Sequence, residues 1–189
     1  MKIYLMRHGE SEGNVAGKFT GWWDAPLTER GIEQARTAKE KLNGIRFDRV
    51  FTSDLLRARQ TCEAVFPGCD YTVDSRLREL HLGKLEGLPV KEAKALYPDA
   101  VCRGRAIGDC SSVGGESKES FWGRLKSFLS DIEKEGYERV ALFTHAGVVR
   151  AIFNMTFDTM CLGRISNQNC VIAVFDLKDG KLILDSWNI

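Results

Sequence analysis

The chain has no apolar run close to the roughly 20 residues that a helical membrane span needs. Nothing ahead of the strand-like stretch Lys2–Met6 reads as a signal peptide. No membrane attachment is therefore expected, and a cytoplasmic location is. None of the six cysteines (Cys62, Cys69, Cys102, Cys110, Cys161 and Cys170) forms a CxxC pair, and no histidine stands beside them at metal-ligand spacing. That disfavours a zinc site and leaves free thiols in a reducing compartment. Only Cys102 and Cys110, close together in a loop-like stretch, raise a disulfide question. Charge of one sign is lacking too: 27 basic against 26 acidic residues give a net charge of +1, so no bulk field argues for a nucleic-acid or membrane partner. Repeats, low-complexity tracts and linkers are missing, and nothing sets an oligomeric state. Histidine is scarce, with three in 189 residues.

What is present suits one domain, 1–189, long enough to bury a sizeable core. Strand and helix patterns alternate, as a mostly parallel α/β sheet requires. Lys2–Met6 reads as the first strand. Thr28 is placed to cap a helix carrying Ile32, Ala35, Ala38 and Leu42 at helical spacing, with Asn43-Gly44 ending it. Arg49–Thr52 is a second strand. Ser53 is expected to cap a helix bearing Leu55, Ala58, Cys62 and Val65, stopped by Pro67-Gly68, and residues 71–73 make a third, short strand. Residues 99–117, rich in Gly, Ser, Cys and Arg, read as a loop. A long amphipathic helix follows with Phe121, Leu125, Phe128, Leu129 and Ile132 on one face. Arg139–Thr144 is the next strand and Ala146–Met155 a helix. Cys170–Leu177 and Lys181–Trp187, joined by Asp179-Gly180, predict an antiparallel hairpin. The fold class is a three-layer α/β/α sandwich.

Three strand ends carry polar residues: Arg7-His8-Gly9 after the first, Ser53 to Arg57 after the second, and His145 after the fourth. Parallel strands bring such ends to one edge, where open α/β sheets bind ligands. Histidine can attack phosphorus. An arginine fork matches phosphate oxygens, and glycine lets backbone approach a ligand.

The sequence resembles the histidine phosphatase superfamily, which includes cofactor-dependent phosphoglycerate mutase. The resemblance rests on ordered blocks: Arg7-His8-Gly9-Glu10-Ser11 with Asn14; Gly21 to Asp24; Pro26-Leu27-Thr28, Gly31 and Gln34-Ala35; Ser53-Asp54-Leu55-Leu56-Arg57-Ala58 with Thr61; Glu79, Gly83, Glu86 and Gly87; Gly115-Glu116-Ser117 with Arg124; and His145-Ala146-Gly147 with Arg150. It implies a phosphoglycerate mutase-like fold and a phosphohistidine mechanism that needs no metal or other cofactor. His8 is then the nucleophile, its tautomer set by a neighbouring acceptor such as a backbone carbonyl. Arg7, Arg57 and His145 surround the phosphoryl group, Glu79 is the acid and base, and Asn14, Thr20 and Gly21 complete the phosphate cradle. His81 is assigned a supporting or surface role, Arg59 to solvent, Arg150 to the fold, and Trp22 and Trp23 to loop packing over the first long helix.

The segments around Glu79–Gly115 and the C-terminus are short for a mutase. The resemblance therefore points to a phosphomonoesterase acting on a small phosphorylated metabolite, in the short branch typified by α-ribazole phosphatases, with α-ribazole 5′-phosphate a candidate substrate. A cofactor-dependent phosphoglycerate mutase and a non-catalytic phosphometabolite-binding protein are the alternatives. A metal-dependent phosphohydrolase is disfavoured because no DxD-type acidic cluster accompanies the histidines. Arg103 and Arg105, in the stretch expected to cover the leaving group, are candidates for holding a second anionic group or simply solvated.

Overall fold

The computed structural model describes residues 1–159 and 167–189; Cys161 lies outside the described residues. Six strands form one sheet in the order β3-β2-β4-β1-β5-β6. They are β1 (Lys2–Arg7), β2 (Arg49–Thr52), β3 (Thr72–Val73), β4 (Arg139–Thr144), β5 (Ile172–Lys178) and β6 (Lys181–Trp187). β1, β2, β3 and β4 run parallel, whereas β5 pairs antiparallel with both β1 and β6. The β5–β6 turn places Asp179 and Gly180 at φ 52° and 71°, the left-handed pair that matches hairpin twist.

The helices are α1 (Glu12–Val15), α2 (Glu29–Glu40), α3 (Leu56–Val65), α4 (Val90–Leu96), α5 (Pro98–Ile107), α6 (Lys118–Lys134) and α7 (Ala146–Phe157). They cover both faces of the sheet, and the strands' period of two sorts the core accordingly. Ile3, Leu5, Val140 and Leu142 pack with α6 and α7 residues such as Phe121, Phe128 and Ile152. Met6, Ala141 and Phe143 pack with Ala35, Ala38 and Cys62 from α2 and α3. The edge of Phe51 meets Phe128 with centroids 5.4 Å apart, tying β2 to α6.

Several expectations change. Residues 99–117 are not all loop: α5 begins at Pro98, whose missing N–H is no loss in a first helical turn. It ends at Gly108 with φ 73°, and residues 111–113 form a 3-10 turn. Its polar composition hid a narrow apolar face, because Ala100 and Val101 are buried while Cys102 and Arg103 face outward. Ser53 does not cap α3. The cap residue is Leu55, and the Leu56 N–H is instead met by Asp24 Oδ1 at 2.6 Å. The last hairpin starts at Ile172, after Cys170 has taken a φ of 57°. Cys62, Cys69, Cys102, Cys110 and Cys170 are free, which answers the question of a Cys102–Cys110 disulfide. No helix among the described residues is long and apolar enough to cross a membrane.

Candidate active site

Backbone hydrogen bonds just past the strand ends fix the site. The His8 N–H donates to Thr144 O at 2.9 Å, and the Ser53 N–H to Phe143 O at 3.0 Å. Parallel pairing of β1 and β2 with β4 thus sets His8, Ser53 and His145 in one row. The two imidazoles lie with centroids 5.3 Å apart, and His145 Nε2 is 2.8 Å from Ser53 Oγ. Ser53 therefore belongs to the site, a role its assignment as a helix cap concealed.

Each imidazole has a defined tautomer. His8 Nδ1 is 2.7 Å from Gly9 O. A carbonyl only accepts, so Nδ1 carries the proton and Nε2 keeps its lone pair. Ser53 Oγ already accepts from the Leu55 N–H at 3.3 Å. No other acceptor among the described residues meets its hydrogen, which therefore goes to His145 Nε2 and leaves the ring proton of His145 on Nδ1. Both rings are buried. Burial, followed by the charges of Arg57 and Arg7, holds His8 well below the usual histidine range. Burial and then Arg57 do the same to His145. Both are neutral at neutral pH.

Arg57 is fully buried and spends its two Nη groups on Gly21 O at 2.8 Å and Trp23 O at 3.0 Å. Arg7 donates from Nη1 to Asn167 O; burial pushes it down to about 10, so it stays charged at neutral pH. The Nε atoms of both arginines and Nδ1 of His145 are buried without a partner. Three unmet donors beside one neutral histidine are costly in an interior.

A cavity of about 210 Å³ opens here, and its lining includes Arg7, His8, Asn14, Thr20, Gly21 and Glu79. Of the residues expected at the site, these six reach the cavity, while Arg57 and His145 lie buried behind it. Asn14 Oδ1 accepts from the Asn169 side chain at 3.1 Å, and Asn169 also donates to His8 O. Gly21 has φ 49°, and a Cβ there would lie 2.2 Å from Glu86 Oε1.

Glu79 is held from several sides. The Gly147 N–H at the start of α7 reaches Oε1 at 2.9 Å and Oε2 at 3.1 Å, and the Leu80 N–H reaches Oε1 at 2.9 Å. Its backbone carbonyl accepts from Trp22 Nε1 at 2.7 Å and from Arg124 Nη2 at 2.8 Å. Arg124 also ties Glu116 to the carbonyls of Arg76 and Arg78. The nearby Arg76 pairs with Asp74 and Asp131, and Arg78 with Asp54.

Two surrounding residues sit elsewhere than expected. Trp22 does not pack over α2; its ring lies 4.7 Å from that of His81 and under Arg78, bracing the Glu79 segment. Arg150, assigned to the fold, lines the cavity, as does Arg105. Arg103 instead faces outward and pairs with the buried Asp109. Among the described residues no three His, Cys, Asp or Glu side chains gather so as to hold a metal ion.

The histidine phosphatase superfamily (branch 1) model matches residues 3–189. The chain is 34% identical over 194 residues to a metal-independent phosphoserine phosphatase of Arabidopsis thaliana, covering 99% of this chain and 81% of the relative. Among solved structures, a mycobacterial glucosyl-3-phosphoglycerate phosphatase in complex with VO3 superposes with a TM-score of 0.85 at 27% identity, covering 99% and 98% of the two chains. The alpha-ribazole phosphatase of Shigella flexneri gives 0.83 at 25% identity, covering 100% and 96%.

The buried neutral histidines make stability pH-dependent. Below about pH 6.5 the unfolded chain protonates both imidazoles while the folded chain does not. Stability is thus full above that pH and falls by about 1.4 kcal/mol per pH unit per histidine below it, until the depressed folded values are reached. Urea midpoints measured from pH 7 to 5 are expected to fall more steeply for the wild type than for His8→Gln. Parallel slopes would contradict the buried neutral state. A Cβ at residue 147 would stand 2.1 Å from Glu79 Oε1, so Gly147→Ala is expected to displace that carboxylate and cut kcat at least tenfold while the chain stays folded by circular dichroism.

Proposed function

The chain belongs to the histidine phosphatase superfamily and is a phosphatase hydrolase of that type; we propose that it is a metal-independent phosphomonoesterase acting on a small phosphorylated metabolite through a phosphohistidine on His8. The observation that carries this reading is the state of His8: neutral, its Nδ1 proton held by Gly9 O, at the wall of a cavity and beside three unmet donors. Those donors suit the oxygens of a phosphoryl group, whose transfer needs positioning and charge neutralisation more than elaborate covalent chemistry.

In the proposed cycle, His8 Nε2 attacks phosphorus as the ester P–O bond breaks. Glu79 gives its proton to the departing oxygen. Arg7, Arg57 and His145 Nδ1 neutralise the equatorial oxygens, with Asn14, Thr20 and Gly21 completing the cradle. A water then attacks the phosphohistidine, gives a proton to Glu79, and frees phosphate and neutral His8. Ser53 keeps the His145 proton on Nδ1 throughout. α-Ribazole 5′-phosphate is one candidate substrate, supported by the likeness to an alpha-ribazole phosphatase. The phosphoserine and glucosyl-3-phosphoglycerate phosphatases support a wider range of small phosphoesters.

Phosphate release in EDTA from a panel of these esters and an aryl phosphate tests the proposal. Wild-type protein is expected to release phosphate, and folded His8→Ala none. Turnover by His8→Ala at the wild-type rate would remove His8 as nucleophile. Glu79→Gln is expected to slow alkyl phosphates by about 10²–10⁴-fold and aryl phosphates far less, because aryl oxides depart with little protonation. Equal losses on both would assign Glu79 a structural role.

A further inference from the structure

The stretch 167–171, which leads into β5, is bonded to the site from several residues. Arg7 Nη1 donates to Asn167 O, and the Arg7 N–H to Val171 O at 3.1 Å. Asn167 Nδ2 donates to Ala146 O at 2.9 Å, next to His145. The Cys170 N–H donates to His8 O at 3.3 Å. Asn169 Nδ2 spends one hydrogen on His8 O and the other on Asn14 Oδ1, both at 3.1 Å. Asn169 is partly buried and stands outside the lining of the cavity that holds His8. It therefore acts on the site through its neighbours. Of its two partners, His8 O also has the Cys170 N–H and stays satisfied without Asn169. Asn14 Oδ1 would be left with the Ser11 N–H, at 3.2 Å.

The directions of the two amides are forced. A backbone N–H only donates, so the atom that Asn14 turns to Ser11 is its oxygen. The atom that Asn169 turns to that oxygen, and to the His8 carbonyl, is then its nitrogen. With both lone pairs of Asn14 Oδ1 taken, the Asn14 amide cannot turn over. Its Nδ2 meets no acceptor among the described residues and remains as a donor at the cavity wall.

The backbone is bent to deliver Asn169. Cys170 has φ 57°, in the left-handed region that a residue with a Cβ rarely adopts. Its side chain is buried in the core with Met6 and Ile172. Strain of this kind persists where the surroundings over-determine it. Here the buried thiol and the Cys170 N–H on His8 O hold the turn, and the turn sets Asn169 against Asn14.

We propose that Asn169 is a positioning residue for phosphoryl binding, which locks the Asn14 amide with its Nδ2 toward the phosphoryl oxygens. The assignment rests on the phosphatase reading of the same cavity, in which Asn14 belongs to the cradle.

The test is a double-variant cycle on the full-length chain. It is read as kcat/KM for an aryl phosphate and as the inhibition constant of inorganic phosphate. Asn14→Ala is expected to lower kcat/KM about tenfold or more, and Asn169→Ala about three- to tenfold, with phosphate inhibition weakened in both. The double variant is expected to match Asn14→Ala within about twofold, because Asn169 acts through an amide that is already gone. Losses that multiply in the double variant, or Asn169→Ala at the wild-type kcat/KM, overturn the proposal. So does the same loss in Gln168→Ala, the exposed neighbour in the chain. Should Asn169→Ala fail to fold, the nearly isosteric Asn169→Asp keeps the shape, loses the donor and is read in the same cycle. Wild-type hydrolysis with uncoupled variants sinks only the role of Asn169, whereas no hydrolysis of any ester sinks the phosphatase reading beneath it.

Discussion

The pairing of β1 and β2 with β4 continues one residue past the strands, through the hydrogen bonds from His8 to Thr144 and from Ser53 to Phe143. A slip of one residue in either ladder would turn every inward side chain to the other face. It would also separate His8 from His145 and His145 from Ser53. The alternating core residues, Ile3 and Leu5 on one face and Met6 on the other, thus fix the site as well as the fold. Hydrophobic burial specifies the register, and the register positions the imidazoles.

Electrostatics follows from that placement. Two histidines buried next to Arg7 and Arg57 cannot easily accept protons, and a neutral imidazole is the form that can act as a nucleophile. The cost falls on the surroundings, where buried donors go without partners. Glu79 arrives from outside the sheet, on a segment braced by Trp22, Arg124 and Glu116. Its carboxylate depends on Gly147, the second residue of α7. The site thus joins a rigid sheet edge to a separately braced carboxylate.

The parallel core, the terminal hairpin and the meeting of His8 with His145 were legible in the sequence because each is written in short-range pattern: period-two strands, a two-residue turn, and polar residues directly after strands. What lay hidden is tertiary. α5 was obscured because its helix depends on burying Ala100 and Val101, while Gly104 and Cys102 weaken the local signal. Ser53 had the residue type and position of a cap, but its oxygen is committed to His145. Arg150 read as a supporting charge, because a cavity wall assembled from α5 and α7 has no local signature. Asn14, Thr20, Gly21 and Glu79 were assigned to the site by resemblance to known blocks, and periodicity alone would not have found them.

The central claim is that the His8 imidazole carries the phosphoryl group. Its most direct test is to mix Glu79→Gln with an aryl phosphate, quench in alkali, and locate the modification by peptide mass spectrometry. The account predicts one phosphoryl group on the peptide containing His8, on that histidine, formed as the aryl oxide is released. Aryl oxide release with His8 unmodified throughout, or with the phosphoryl group on another side chain, would contradict it.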